Sequence, residues 1–159
     1  MIKFLHIKKI QGITSVEFAL VSLVFFMLMF GVLEVGRLMF SLSMIEETSR
    51  RITRLAAVCP VTERNLIIAR EVNRTGINRF NAGNIDIDYL NNNLAEVAVN
   101  AQNINTITFV RTRVINYQHA LIIPLVELQL DPTAIRYESI LPSESLGFNP
   151  DNGGQITCI

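Results

Sequence analysis

Gly12 is followed by four residues and then by Glu17, at the mouth of an apolar run, in the stretch Lys8-Lys9-Ile10-Gln11-Gly12-Ile13-Thr14-Ser15-Val16-Glu17-Phe18, and from Phe18 to Leu33 the chain carries no charge. A carboxylate at the head of a membrane-length apolar run is costly unless it is paired. Hydrolysis of the peptide after Gly12 would supply the partner, a free ammonium on Ile13. Glu17 lies four residues after Ile13, so on a helix the two stack on one face. The lack of a side chain at Gly12 suits entry of that peptide into a tight site; without Glu17 in register, the same glycine would read as a turn between a basic leader and a helix. At the other end of the apolar run, Glu34 and Arg37 are three apart and suited to pair at a membrane interface.

The cysteines and histidines offer less. Cys59 and Cys158 have no metal-ligand spacing. Exported to an oxidising compartment they are expected to form a disulfide closing most of the C-terminal part of the chain; two unpaired thiols are the alternative. His6 and His119 have no serine, cysteine or carboxylate pair at catalytic spacing. Asp86 and Asp88 alternate with isoleucines as the wet side of a strand and lack the further oxygen donors a cation needs. No catalytic residue, metal site or cofactor is assigned, and the chain is not expected to be an enzyme.

These groups must be positioned by a membrane helix. Ile13–Leu33 has the length and composition of a spanning segment. It exceeds the apolar core of a cleaved secretory signal, and Glu34-Val35-Gly36-Arg37 is a poor signal-peptidase site. Lys3, Lys8 and Lys9 precede it and only Arg37 follows closely, which favours a cytoplasmic N-terminus. Residues 1–12 hold those three lysines and no acid, leaving 11 basic against 14 acidic residues in the remainder of 159. That mildly acidic body argues against a nucleic-acid partner.

Beyond Arg37, Leu38, Leu42, Ile45, Ile52, Leu55, Ala56 and Cys59 form one apolar stripe at helical spacing. Glu46 and Glu47 precede Arg50 and Arg51 by four on the wet side, and Pro60 stops the helix. Thr62 is expected to cap a short helix to about Asn73, ended by Thr75-Gly76. Ile85–Leu90 reads as a strand, Asn91–Asn93 as a turn, and Leu94–Val99 as strand or helix. Thr106–Tyr117 is the strongest strand, with Phe109 and Tyr117 expected in the core. Ala120–Leu130 reads as an apolar crossover, Thr133–Leu141 as another strand, and Pro142 onward as a loop-rich tail. The expected fold class is α+β: a long N-terminal helix, transmembrane in its first half and amphipathic in its second, packed on a small antiparallel sheet of three or four strands. The expected division is 1–12 leader, 13–33 membrane helix, 34–58 amphipathic extension and 59–159 domain.

The basic leader, Gly12, and Glu17-Phe18 at the head of the helix resemble the type IV prepilin pattern. Phe30-Gly31-Val32-Leu33-Glu34-Val35-Gly36-Arg37 resembles the Phe-Gly-x-x-Glu-x-Gly-Arg block of the TadE-like family, minor pilins (pseudopilins) of the tight-adherence, or Flp, pilus systems. Ile13 departs from the phenylalanine or methionine of many prepilins and from the small residue frequent in this family. The resemblance implies a pilin-like fold and cleavage between Gly12 and Ile13 by a prepilin peptidase. It implies partnership with the other Tad minor and major pilins and the inner-membrane assembly platform, in a pilus serving adhesion and secretion. The implied location is the bacterial inner membrane, single-pass, with the domain periplasmic or carried into the extracellular pilus. The alternative is an unprocessed, membrane-anchored periplasmic binding module.

Overall fold

Helix α1 runs from Gly12 to Val58 without interruption in the computed structural model, which describes residues 12–99, 104–119, 137–149, 151 and 153–158. The leader up to Gln11, the expected crossover Ala120–Leu130 and the first residues of the strand expected from Thr133 lie outside the described residues. Two compact units divide the chain, Met1–Arg37 and Leu38–Ile159.

In the first unit α1 is apolar around its whole circumference. Val16, Phe18, Leu20, Val21 and Leu28 are all exposed, and none of the apolar window is buried. Leucine, methionine and phenylalanine favour the helix, and no proline interrupts it. Phe26 stacks on Phe30, one turn on, with ring centroids 6.2 Å apart. This is a helix long and apolar enough to cross a membrane.

The second unit layers helices on a sheet. From Leu38 onward α1 has one buried face, carrying Ile45, Ile52, Ala56 and Cys59. Thr48, Ser49 and Thr53 are buried on it too. The Thr48 and Thr53 hydroxyls each donate to the carbonyl four residues back, at 2.8 Å, which satisfies them inside the core. On the wet side Arg50 and Arg51 pair with Glu46 and Glu47. α1 ends one residue short of the Cys59-Pro60 dipeptide, as the steric restriction before proline requires.

A 3-10 turn at Val61–Glu63 leads into α2, Arg64–Thr75, closed by Gly76 in the left-handed region at φ 61°. Thr62 does not cap α2: it lies inside the preceding turn, and Glu63 takes the capping position without a side-chain bond. Ile67, Ile68 and Val72 point α2 into the core.

The sheet has three antiparallel strands in the order β1-β2-β3: Ile85–Leu90, Phe109–Val114 and Glu138–Pro142. Ile85 pairs with Val114 and Leu90 with Phe109; on the other side of β2, Phe109 pairs with Pro142 and Arg113 with Glu138. Proline at the end of an edge strand costs no ladder bond. Ile85, Ile87, Tyr89, Val110 and Thr112 face the helices and are buried. β2 is shorter than expected from Thr106–Tyr117, because Ile104–Thr106 forms a 3-10 turn and Asn116 adopts φ 52°. Phe109 alternates onto the outer side with Arg111 and is only half-buried, whereas Tyr117 packs against the core, edge-on to Phe80. Asn91–Asn93 is the turn expected, and Leu94–Val99 is neither strand nor helix, with one bridge from Glu96 to Leu90.

Tyr89 is the largest fully buried side chain, and its hydroxyl has no hydrogen-bond partner among the described residues. Burial pushes its pKa up to about 12, against an opposing pull from Arg64. A raised phenol pKa gives stability that is complete below the unfolded value near 10 and lost as pH rises to about 12, a total of about 2.7 kcal/mol. Tyr89→Phe is therefore expected to be near neutral at about pH 8 and to gain about 1.4 kcal/mol over wild type by about pH 11. Urea unfolding of the full chain in detergent, followed by near-ultraviolet dichroism at both pH values, measures this. Parallel losses in the two proteins would remove Tyr89 as the cause.

Candidate functional site: the two ends of helix α1

Gly12 is the first described residue, and the chain is helical from it onward, so Gly12 and Ile13 lie on α1. No acid occupies the first turn of α1. Ile13, Glu17 and Phe18 are all exposed on it, and the four-residue interval places Glu17 one turn above residue 13 on the same face. An ammonium at a helix N-terminus opposes the macrodipole, and a carboxylate one turn on offsets it.

At the far end of the first unit, the Arg37 guanidinium donates to both Glu34 oxygens, at 2.9 and 3.0 Å. The Glu34 side chain retains 12% of its exposure and Arg37 40%. The expected pair forms, with one guanidinium nitrogen, Nη1, shared between the two carboxylate oxygens. A Cβ added at Gly31 or Gly36 would touch nothing in this chain, and Phe30 is exposed. The glycines of the Phe30–Arg37 block therefore serve no packing within the described residues.

The third group of sequence-marked residues lies at the C-terminus of α1. Cys59 and Cys158 form a disulfide with Cα atoms 5.7 Å apart, across a sequence separation of 99 residues. Around it, residues read from sequence only as a loop-rich tail satisfy the last carbonyls of α1. The Glu144 amide donates to Ala57 O at 2.9 Å, the Gly147 amide to Val58 O at 2.6 Å and the Ser145 hydroxyl to Val58 O at 3.0 Å. The Cys158 amide donates to Glu63 at 3.0 Å. Gly147 sits at φ 81°, and a Cβ there would come within 2.7 Å of the Pro60 nitrogen. Only glycine fits. Sequence reasoning missed Ser145 and Gly147, since no local pattern marks a tail residue that caps a distant helix.

Neither His119 nor Asp86 and Asp88 assemble into a cluster of metal-ligating side chains among the described residues. The two aspartates instead meet arginines across the sheet, Asp88 with Arg111 at 2.8 Å and Asp86 with Arg113 at 3.4 Å.

Residues 12–54 match the family model described as TadE-like protein. No curated protein and no solved structure matches the chain. The match spans both ends of the apolar helix and stops short of Cys59. It is the family that the Phe30–Arg37 block resembles.

The disulfide encloses nearly the whole second unit. A loop of about 100 residues confers roughly 4–5 kcal/mol on the chain-entropy account. Reduction, or Cys59→Ser with Cys158→Ser, is expected to lower domain stability by about that amount while leaving the helical signal of the apolar segment intact. Urea unfolding with and without reductant tests it; an unchanged midpoint would mean that the thiols are not joined in the exported protein.

Proposed function

We propose that this TadE-like chain is a minor pilin, or pseudopilin, of a tight-adherence (Flp) pilus, cut between Gly12 and Ile13 by a prepilin peptidase at the cytoplasmic face. The observation that carries the reading is the placement of Gly12 and Glu17: the acid lies one helical turn beyond Ile13, at the head of an exposed run from Phe18 to Leu33 that carries no charge. Hydrolysis adds water across that peptide, leaving a carboxylate on Gly12 and an ammonium on Ile13. The leader departs with its lysines, and the new ammonium neutralises the one charge at the head of the helix. In a low-dielectric surrounding the pair is strongly preferred to either ion alone. Formed within one subunit it stabilises the membrane-inserted state; formed with a neighbour it fixes the axial register of packed helices.

The three lysines before the helix favour a cytoplasmic N-terminus, which on this reading leaves the domain in the periplasm of a single-pass inner-membrane protein. The Cys59–Cys158 bridge suits that oxidising side. The work of the molecule is then packing against other pilins and the assembly platform, with no catalysis of its own.

Lysine composition supplies a direct test. All three lysines, Lys3, Lys8 and Lys9, lie in the leader, and every basic residue after Gly12 is arginine. A processed chain has a single reactive amine, the α-amine of Ile13. Chain isolated from cells with an active prepilin peptidase is expected to lack residues 1–12 by intact mass and to take one amine-reactive label. Gly12→Leu should retain the leader and its lysines. A native chain beginning at Met1 would refute the pilin reading and leave the anchored binding module. Glu17→Ala, in turn, should lower incorporation into pili at least about tenfold, the equivalent of about 1.4 kcal/mol, with membrane insertion unchanged. Equal losses in both would contradict a pairing role.

A further inference from the structure

The second unit carries two oppositely charged surfaces that cannot neutralise each other within one molecule. The first is a groove of about 450 Å³ between α1 and α2, lined by Arg51, Arg54, Arg70 and Arg74 with Leu55 and Cys158. Arg51 is paired with Glu47 at 2.9 Å, and Arg74 with the buried Glu71 at 3.0 Å. Arg54 and Arg70 are exposed and have no ion pair among the described residues. The groove thus holds two guanidiniums in excess. Guanidinium keeps its charge under all conditions and grips carboxylates at two points, where lysine offers a point charge. Its effect on a carboxylate is already visible at Glu47: the Arg51 hydrogen bond, with the fields of Arg51, Arg50 and Arg54, holds that side chain below the usual carboxylate range.

The second surface is the outer face of the sheet, on the side away from the helices. Asp86 and Asp88 from β1, Glu138 from β3 and Glu96 from the segment after β1 surround Arg111 and Arg113 of β2. Four carboxylates meet two guanidiniums, an excess of two negative charges. The excess is accessible: Glu138, 42% exposed in its side chain, approaches Arg111 only to 3.7 Å, and Glu96, although it accepts from Arg111 at 2.7 Å, keeps 61% of its side chain exposed. The nearby Arg50 is taken up by Glu46 at 2.6 Å.

We propose that the arginine groove of one copy receives the acidic sheet face of a second copy, Arg54 and Arg70 meeting Glu96 and Glu138. Two different patches make the contact, so it is heterologous: the pair keeps one unused surface of each sign, and the association propagates as a row instead of closing as a two-fold pair. Exposed ion pairs contribute at most about 1 kcal/mol each and are screened by salt. The contact is therefore weak between free molecules and effective where anchored copies are concentrated. It depends on the charges of the domain alone and stands independently of processing at Gly12.

The test uses the full chain in non-ionic detergent, with self-association measured by sedimentation at low salt and at roughly 0.5 M salt. The apolar helix adds a salt-insensitive background common to every sample. Wild type is expected to show a salt-sensitive component; Arg54→Glu with Arg70→Glu, and separately Glu96→Arg with Glu138→Arg, should each weaken it at least about tenfold. Mixed one to one, the two variants should recover it, because each then presents the charge that the other lacks. The neutral pair Glu96→Gln with Glu138→Gln should weaken it without the strain of reversed charge, and intact disulfide and near-ultraviolet dichroism identify folded samples. The proposal is overturned by a wild type with no salt-sensitive component, by folded variants that associate like wild type, or by a mixture that fails to recover. It is overturned equally if the groove variant loses binding only to phosphatidylglycerol vesicles and keeps its self-association.

Discussion

The C-terminus of α1 is the point on which the Leu38–Ile159 unit depends. A helix end leaves its last carbonyls without intrahelical donors, and Pro60 prevents the chain from supplying them by continuing. The donors come instead from Glu144, Ser145 and Gly147, and the Cys59–Cys158 bridge holds that late segment in place. One site therefore joins the beginning and the end of the unit twice, by hydrogen bonds whose loss would strand buried carbonyls and by a covalent link that narrows the unfolded ensemble. The left-handed Gly147 is the condition for both, since any side chain there would strike the Pro60 ring and backbone.

That anchorage fixes which face of α1 meets the sheet. With Cys59 held inward, Ile45, Ile52 and Ala56 fall on the same side, and the positions between them are the small Thr48, Ser49 and Thr53. Longer side chains there would push α1 off the sheet; the Thr48 and Thr53 hydroxyls, bonded one turn back, allow the close approach without being left unsatisfied, whereas the buried Ser49 hydroxyl has no partner among the described residues. The opposite face of α1 is left free for charge, and it is there that Arg51 and Arg54 meet Arg70 and Arg74 of α2.

Periodicity made the long helix, its stripe and the bounds of β1 legible, because each depends on residues near one another in sequence. Glu34–Arg37 and the two i,i+4 pairs after Arg37 were legible for the same reason. The disulfide was legible only through the expected compartment: two cysteines in a domain read as exported. What escaped is what the chain decides at long range. Phe109 looks like core by type, yet the register that puts Val110 and Thr112 inside turns it outward with Arg111. Asp86 and Asp88 were correctly placed on the outer side of β1, but their arginine partners sit on a strand more than twenty residues later, so the ionic lattice could not be read from either strand alone. Thr62 had the chemistry of a cap and lost the position because the 3-10 turn after Pro60 displaced the helix start by one residue beyond Glu63.

The distribution of basic residue types follows a physical division. Lysine, strongly hydrated and flexible, occurs only in residues 1–12, ahead of the apolar run, where a point charge without defined geometry is all that the positive-inside rule asks for. Arginine alone serves the rest, where guanidinium must bridge carboxylates in defined geometry: Glu34 at the exit of the apolar run, Asp88 and Glu96 across the sheet, Glu71 beside α2. On the proposed processing, removal of the leader takes away every lysine and leaves a body whose 14 acids outnumber its 11 arginines. The excess is acidic overall but segregated, positive in the groove beside α2 and negative on the outer sheet. A net repulsion between identical subunits then acts against random clustering, while the local complementarity of those two surfaces selects one orientation of approach.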